Sequence, residues 1–311
     1  MQVFVAGGTG VVGRAALQAM IEAGHRVRSS ARGQEKADLV RRLGADPVDV
    51  DLDDGAGLRQ AIAGSDAVVR LTTKIPQPML KMRSPAAWRE TNRLRTAGAR
   101  RLVDAAIAAR VPAYIHESIT FVYADGGDQW LDEDARVDDG GTEILRAALE
   151  GEREAARFSD AGGRGIVLRF GAFYGPDAPS TAETVAMARR RILVQIGPGS
   201  SYFSSVYVSD AARAVAAALG APAGIYNVCD DTPVTFAEYL DTVAMAARAP
   251  RPRRLPVVLG PLVFGVAWKY LARSQRVSNG RLKSVSGWAP AVGSVADGWP
   301  MVLSRLGPEH R

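Results

Sequence analysis

Along the chain, short apolar runs alternate with longer stretches whose apolar residues recur three and four positions apart. That is the pattern of buried strands alternating with amphipathic helices. The first run, residues 2–6, passes through a glycine-rich turn into a stripe of Leu17, Met20 and Ile21 that stops at Ala23-Gly24. Further strands are expected at 25–31, 47–52, 67–72, 113–118 and 166–170. Helices are expected at 36–43, 58–63, 86–110 and 143–159, with Pro76, Pro78 and Pro85 marking a loop. This rhythm predicts a parallel sheet covered on both faces, doubly wound by right-handed crossovers. Beyond Gly171 it loosens. A helix is expected at 182–191 and a strand-like stretch at 202–208. Ser209 and Asp210 look like the cap of a helix at 211–219. A strand at 225–229 and a helix at 236–247 follow, and 251–256 reads as a linker. The expected division is a nucleotide-binding domain over 1–170 and a smaller α/β substrate lobe over 171–311, which can return elements to the first domain. There is no internal repeat.

The turn itself reads Gly7-Gly8-Thr9-Gly10-Val11-Val12-Gly13. Glycines three apart, between an apolar strand and a helix, suit a backbone that must turn tightly and approach a pyrophosphate. The helix that follows presents its free N–H groups to the anion. Together with the strand–helix rhythm this predicts a Rossmann-type α/β fold that binds a dinucleotide.

Composition narrows the field. The 311 residues suffice for one large α/β domain plus a lobe, and the single cysteine, Cys229, rules out an internal disulfide. The chain enters its first strand without a signal-like segment, and the expected compartment is the cytoplasm. The longest uncharged apolar stretch, 256–268, holds Gly260, Pro261 and Gly265 and is too short to span a bilayer. Net charge is +6. The arginine clusters at 100–101, 189–191 and 251–254 are not interleaved with aromatics and accompany no nucleic-acid motif. They speak against nucleic acid and leave an anionic small substrate open. No spacing suggests a metal site. The stretch 257–270 is expected to be a packed helix of the second lobe, with a lid, a dimer surface or an interfacial helix as alternatives.

Several ordered motifs resemble the extended short-chain dehydrogenase/reductase superfamily of the epimerase/dehydratase type. The glycine turn is similar to its cofactor turn, and Asp51-Leu52 to its acidic position near the adenine. Asp66-Ala67-Val68-Val69 with Leu71-Thr72-Thr73 resembles its fourth strand and cofactor loop. Trp88-Arg89-Glu90-Thr91-Asn92 resembles its helix-borne Asn. Arg169 to Pro176, Ser205 to Ala212 and Tyr226-Asn227-Val228 resemble its later landmarks. The resemblance covers essentially the whole chain. It implies that Gly7, Thr9, Gly10, Val11, Val12, Gly13, Asp51, Leu52, Leu71, Thr72, Thr73 and Asn92 hold NAD(P). Relatives that prefer NAD end the second strand with an acid. Here that position is Ala31, followed by Arg32 with Arg28 before it, which favours NADP(H) over NAD(H).

The same resemblance exposes a departure. Reductases of this superfamily carry Tyr-x-x-x-Lys on the helix after the fifth strand. This chain has no lysine between Lys81 and Lys269 and no tyrosine between Tyr123 and Tyr174. Aligned on neighbouring motifs, Arg146 and Glu150 take the two places, where they are expected to pair with each other. The usual catalytic hydroxyl position reads Ile119, flanked by Ser118 and Thr120. The candidates left for proton chemistry are Ser118, Glu117, Tyr174 and His116, with Lys74 near phosphate or substrate. His25 reads as a turn residue and His310 as part of a loose terminus. These features point to an atypical NADP(H)-dependent oxidoreductase, or an epimerase/dehydratase relative, acting on a small organic substrate. A non-catalytic cofactor-binding sensor and a non-redox isomerase or cyclase with a structural cofactor stand as alternatives.

Overall fold

The computed structural model describes residues 1–306, so His310 lies outside the described residues. Seven strands build one parallel sheet: β1 (Gln2–Ala6), β2 (Arg26–Ser30), β3 (Asp46–Val48), β4 (Ala67–Arg70), β5 (Ala113–Ile119), β6 (Arg164–Phe170) and β7 (Gly224–Val228). Their order is β7-β6-β5-β4-β1-β2-β3, and every pairing is parallel. The direction of winding reverses between β1 and β4. That switch point opens a crevice at the carboxyl ends of the strands.

Both faces of the sheet are buried, so alternate strand residues feed two cores. Val3, Val5, Val69, Ile115 and Leu168 pack with α1 (Val11–Glu22) on one face. Phe4, Val68, Tyr114 and Val167 pack on the other face with α3 (Gly55–Ile62), α4 (residues 89–108) and α5 (Glu143–Asp160). Helix α2 (Gln34–Arg42) joins β2 to β3. Helix α6 (Pro179–Arg189) precedes α7 (Val208–Ala218), and α7 packs on the α1 face although it lies late in the chain. Strand β7 likewise comes from the C-terminal half and completes the sheet beside β6. A third core holds Tyr174, Val185 and Tyr207. It adds Leu240 and Val243 of α8 (Phe236–Ala246), with Trp299 and Val302 of α10 (Val295–Arg305). Helix α9 is Gly280–Ser286. No described helix is long and apolar enough to cross a membrane.

Five expectations need correction. The helix expected over 86–110 becomes regular only at Arg89 and contains a widened π turn at Leu94–Gly98. The extra residue shifts the helical phase by about 100°, and Arg95 ends on the buried side. The third strand stops at Val48, and Asp54 further along caps α3 by accepting from the N–H groups of Ala56 and Gly57. Ser209 and Asp210 do not cap α7, which begins at Val208. Asp210 instead sits inside the helix and accepts from the N–H groups of Ala291 and Val292 at 3.1 and 2.9 Å. The expected linker contains a strand, Arg253–Leu255, paired in parallel with Val194–Ile196. The apolar stretch 257–270 is four short helical segments rather than one helix, with changes at Gly260, Gly265 and Trp268. Gly265 has φ 58, and a Cβ there would lie 2.8 Å from Arg83 Cα.

Candidate functional site

The phosphate cradle is built by close backbone packing. Gly7 takes φ 100, and a Cβ there would meet the Leu71 carbonyl carbon at 2.7 Å. A side chain at Gly13 would overlap the Gly7 carbonyl oxygen, so only glycine lets α1 start this close to the turn. Gly10 N–H donates to the Gly7 carbonyl at 3.1 Å and closes the turn. Gly10 caps α1 without a side-chain hydrogen bond, which leaves the helix's first N–H groups free toward the crevice. Thr9 and Val11 are half-buried on its rim, and Val12 is buried beneath.

The opposite wall comes from the end of β4. Leu71 N–H donates to the Ala6 carbonyl at 2.8 Å, which fixes the start of the loop. Arg70 Nη2 donates to the Thr72 carbonyl at 2.8 Å, and Thr91 Oγ1 donates to the Lys74 carbonyl at 2.5 Å, so the loop is tied to both strand and helix. Thr73 is half-buried between these ties. Thr72 Oγ1 and Asn92 Oδ1 are buried polar atoms with no hydrogen-bond partner among the described residues. Such atoms ordinarily find a partner. Here they border the glycine cradle, and the set of residues fits an NAD(P) molecule laid across it.

At the far end of β2, Ala31 is buried and Arg32 is exposed, with Nη1 2.7 Å from Asp51 Oδ2. The Asp53 backbone N–H, and then Arg32, hold the Asp51 carboxyl below its usual range. Arg28 and Leu52 are half-buried near this edge.

The candidates for proton chemistry are engaged in other contacts. Ser118 donates to Glu152 Oε1 at 2.6 Å, and Arg169 holds both oxygens of the same carboxylate at 2.9 and 2.7 Å. The Arg169 guanidinium lies 4.9 Å over the Tyr123 ring, and Tyr123 donates to Asn227 Oδ1 at 2.8 Å. His116 is fully buried. Burial, then Arg70 and Arg95, push its pKa well below the ordinary range, so the ring is neutral near pH 7. Its Nδ1 is 3.2 Å from the Tyr114 hydroxyl. Glu117 lies between Arg70 and Arg95 at 3.5 and 3.6 Å. Tyr174 belongs to the third core, where it donates to Asp230 at 3.1 Å beside Ser205 at 3.0 Å. Burial pushes the Asp230 carboxyl up to about 8. Cys229 is buried, with its thiol pushed up by burial, and no metal-holding group exists among the described residues.

Helix α5 decides where a relay pair would face. Arg146 is exposed and pairs with Asp139 at 3.2 Å, not with Glu150 as expected. The helix buries Ile144, Leu145, Ala148, Gly151 and Glu152 instead. Ile144 and Ala148, four apart, lie on that buried face, whereas Glu150 is half-buried. Ile144 and Ala148 pack with Trp88, Val122 and Tyr270, and Ile119 lies against the same cluster. The buried face of the helix is apolar at this end and carries Glu152 further along.

The model of the NAD dependent epimerase/dehydratase family matches residues 3–229. The chain belongs to that family. A 3-diazoavenalumate denitrifying reductase of a Streptomyces species is 34% identical over 310 residues, covering 96% of this chain and 99% of the relative. Among solved structures, the human epimerase family protein SDR39U1 (isoform 2) with NADPH superposes with a TM-score of 0.82 at 22% identity. It covers 98% of this chain and 100% of that one. A UDP-glucose 4-epimerase of Thermotoga maritima with UDP-glucose gives a TM-score of 0.78 at 19% identity and 98% coverage of each chain. The fold is shared with both, and NAD(P) is the family's cofactor.

Sequence reasoning missed the charges that Glu117 and Ser118 meet: Arg70, Arg95 and Glu152. The signal was present. Arg70 ends the apolar run Ala67-Val68-Val69, and Arg169 interrupts Ile166-Val167-Leu168-Arg169-Phe170. A charge inside a strand buried on both faces requires a buried partner.

Proposed function

We propose that this protein is an NADP(H)-dependent reductase of a small arenediazonium compound, reduced with loss of nitrogen. The observation that carries the reading is a complete glycine cradle in a chain with no lysine between Lys81 and Lys269 and no tyrosine between Tyr123 and Tyr174. Reduction of a carbonyl produces an alkoxide and needs an acid at hydrogen-bond distance. Replacement of a diazonium group by hydrogen does not. When bound, the reduced nicotinamide supplies the hydride, and the balance ArN2+ + NADPH → ArH + N2 + NADP+ consumes no proton. The chain's own task is then to bind, align and exclude water, which apolar residues do well. The name of the Streptomyces relative, a denitrifying reductase of a diazo compound, supports this chemistry. The choice of NADP(H) is supported by exposed Arg32, by Arg28, and by Ala31 at a position where an acid would repel a 2′-phosphate.

The test is a turnover assay of the purified protein with NADPH and an arenediazonium salt, against ketones and sugar nucleotides. NADPH loss at 340 nm is followed together with 15N2 by mass spectrometry. The expected result is one N2 and one arene per NADPH, with no turnover of ketones. Diazonium consumption no faster than the protein-free control, with NADPH bound, overturns the reading.

A further inference from the structure

The segment 256–262 carries apolar residues on the outside of the molecule. Pro256, Val257, Val258, Pro261 and Leu262 are exposed, Val258 at 79% and Leu262 at 66%. A single exposed aliphatic is ordinary, but neighbours in one short segment form a patch. The segment is anchored from behind. Phe264, Val266, Ala267 and Tyr270 pack inward with Trp88 and Ile119. The Gly260 backbone lies so close to the Trp268 ring that a Cβ there would overlap it. These inward contacts hold the outward residues at the surface. The turn Met79–Arg83 packs beside them. Its Arg83 Nη2 donates to the Leu262 carbonyl at 2.5 Å, and its Leu80 is 66% exposed.

The rim of this patch is cationic. The face draws on three stretches without any Asp or Glu: 67–89, 184–209 and 242–296. Arg253–Leu255 runs into the patch and pairs with Val194–Ile196, which follows the exposed Arg190 and Arg191. Arg191, Arg251 and Arg253 line one pocket with Leu193 and Pro250. Arg251 has Asp241 at 3.7 Å, whereas Lys81, Arg83, Arg190, Arg191, Arg253 and Arg254 form no salt bridge among the described residues. Glu183, at the border of the face, accepts from the Met79 N–H at 2.8 Å. Aliphatic side chains ringed by unpaired cations match the boundary of an anionic bilayer. The aliphatics enter the acyl layer, and the guanidinium groups meet lipid phosphates. We infer that this face docks the protein on an anionic lipid surface. The contact is peripheral, since no described helix can cross a membrane. A second copy of the chain is a poor match, because a two-fold contact would set cation against cation. Nucleic acid is another, because the exposed patch residues are aliphatic or proline and offer no ring for a base to stack on. The docking is independent of the reaction proposed above.

The test is co-sedimentation of the full chain with vesicles of phosphatidylcholine, and with vesicles of phosphatidylcholine and phosphatidylglycerol in equal amounts. Binding should require the anionic lipid. Arg253→Gln with Arg254→Gln should weaken it about 30-fold, the worth of two arginines at a lipid surface. Val258→Ser with Leu262→Ser leaves the charge unchanged and should weaken it about 10-fold or more through lost apolar burial. Arg59→Gln with Arg153→Gln removes two exposed arginines from helices over the sheet and should bind as the wild type does. Wild-type binding that is equal on the two vesicles, or absent from both, overturns the inference whatever the stability of the variants. An equal loss in the Arg59 and Arg153 variant reduces the effect to net charge and overturns it too. So does full binding by the Val258 and Leu262 variant. A solution dimer that dissociates in that variant, with no vesicle binding by the wild type, assigns the face to a second copy and overturns it as well.

Discussion

Ser118 and Glu152 share a hydrogen bond of 2.6 Å in the interior, and the same carboxylate holds Arg169 through both of its oxygens. The bond binds the end of β5 to α5, while Arg169 links the pair to β6 and the Tyr123 ring. Replacing Glu152 with Gln leaves Arg169 buried without its counter-charge, a change that costs about 3–5 kcal/mol. Ser118→Ala removes one partner of a carboxylate that keeps the other, and costs about 1–3 kcal/mol. Urea denaturation should rank the two variants in that order. Two equal losses would show that Arg169 does not depend on Glu152.

The edge of the cofactor site depends on arginine. Arg32 pairs with Asp51 at 2.7 Å in a solvent-exposed position, so the pair itself adds little to stability. Its expected value lies in binding. Arg32→Ala should weaken NADPH by about 10- to 100-fold, the worth of a charge-assisted phosphate contact, and leave NADH unchanged. Arg28→Ala should act in the same direction. Fluorescence titration with both nucleotides checks this, and equal weakening of the two would place Arg32 away from the 2′-phosphate.

Asp230 links stability to pH. Its folded pKa is raised by burial to about 8, above the ordinary value of 3.8. The folded state therefore holds a proton that the unfolded chain gives up. The contribution is fully present below the unfolded pKa and is lost as pH rises through the folded one. The slope is roughly 1.4 kcal/mol per pH unit between those values. Asp230→Asn keeps partners for Tyr174 and Ser205 but cannot ionise. Thermal melts from pH 5 to 8 should show the wild-type protein losing more stability than the variant. Parallel curves would mean that Asp230 does not carry the dependence.

The departure from the family's relay is legible at two levels. The absence of Tyr and Lys between Tyr123 and Tyr174 and between Lys81 and Lys269 is a property of the sequence. Which residues fill the space is not. Counting along the chain puts Arg146 and Glu150 there, and in the fold Arg146 is exposed and Glu150 half-buried, while Ile144 and Ala148 are packed in the core. Ser209 and Asp210 failed in a similar way. Their composition signals a cap, but the N–H groups of Ala291 and Val292 lie close enough in space to take the Asp210 carboxylate.

The sequence by itself determined the sheet, its crossovers and the glycine cradle. These follow from short-range physics: the period of apolar residues, and the room a backbone needs beside a phosphate. Gly7 and Gly13 were therefore readable from the residues alone, while Thr72 and Asn92 entered only through the family resemblance. Only the tertiary structure decided the charges. Glu152 meets Ser118 and Arg169, and Arg95 meets Glu117, across elements far apart in the chain. A buried charge announces that it needs a partner, but its residue type does not say which one. That choice is made by which strands and helices the fold brings into contact.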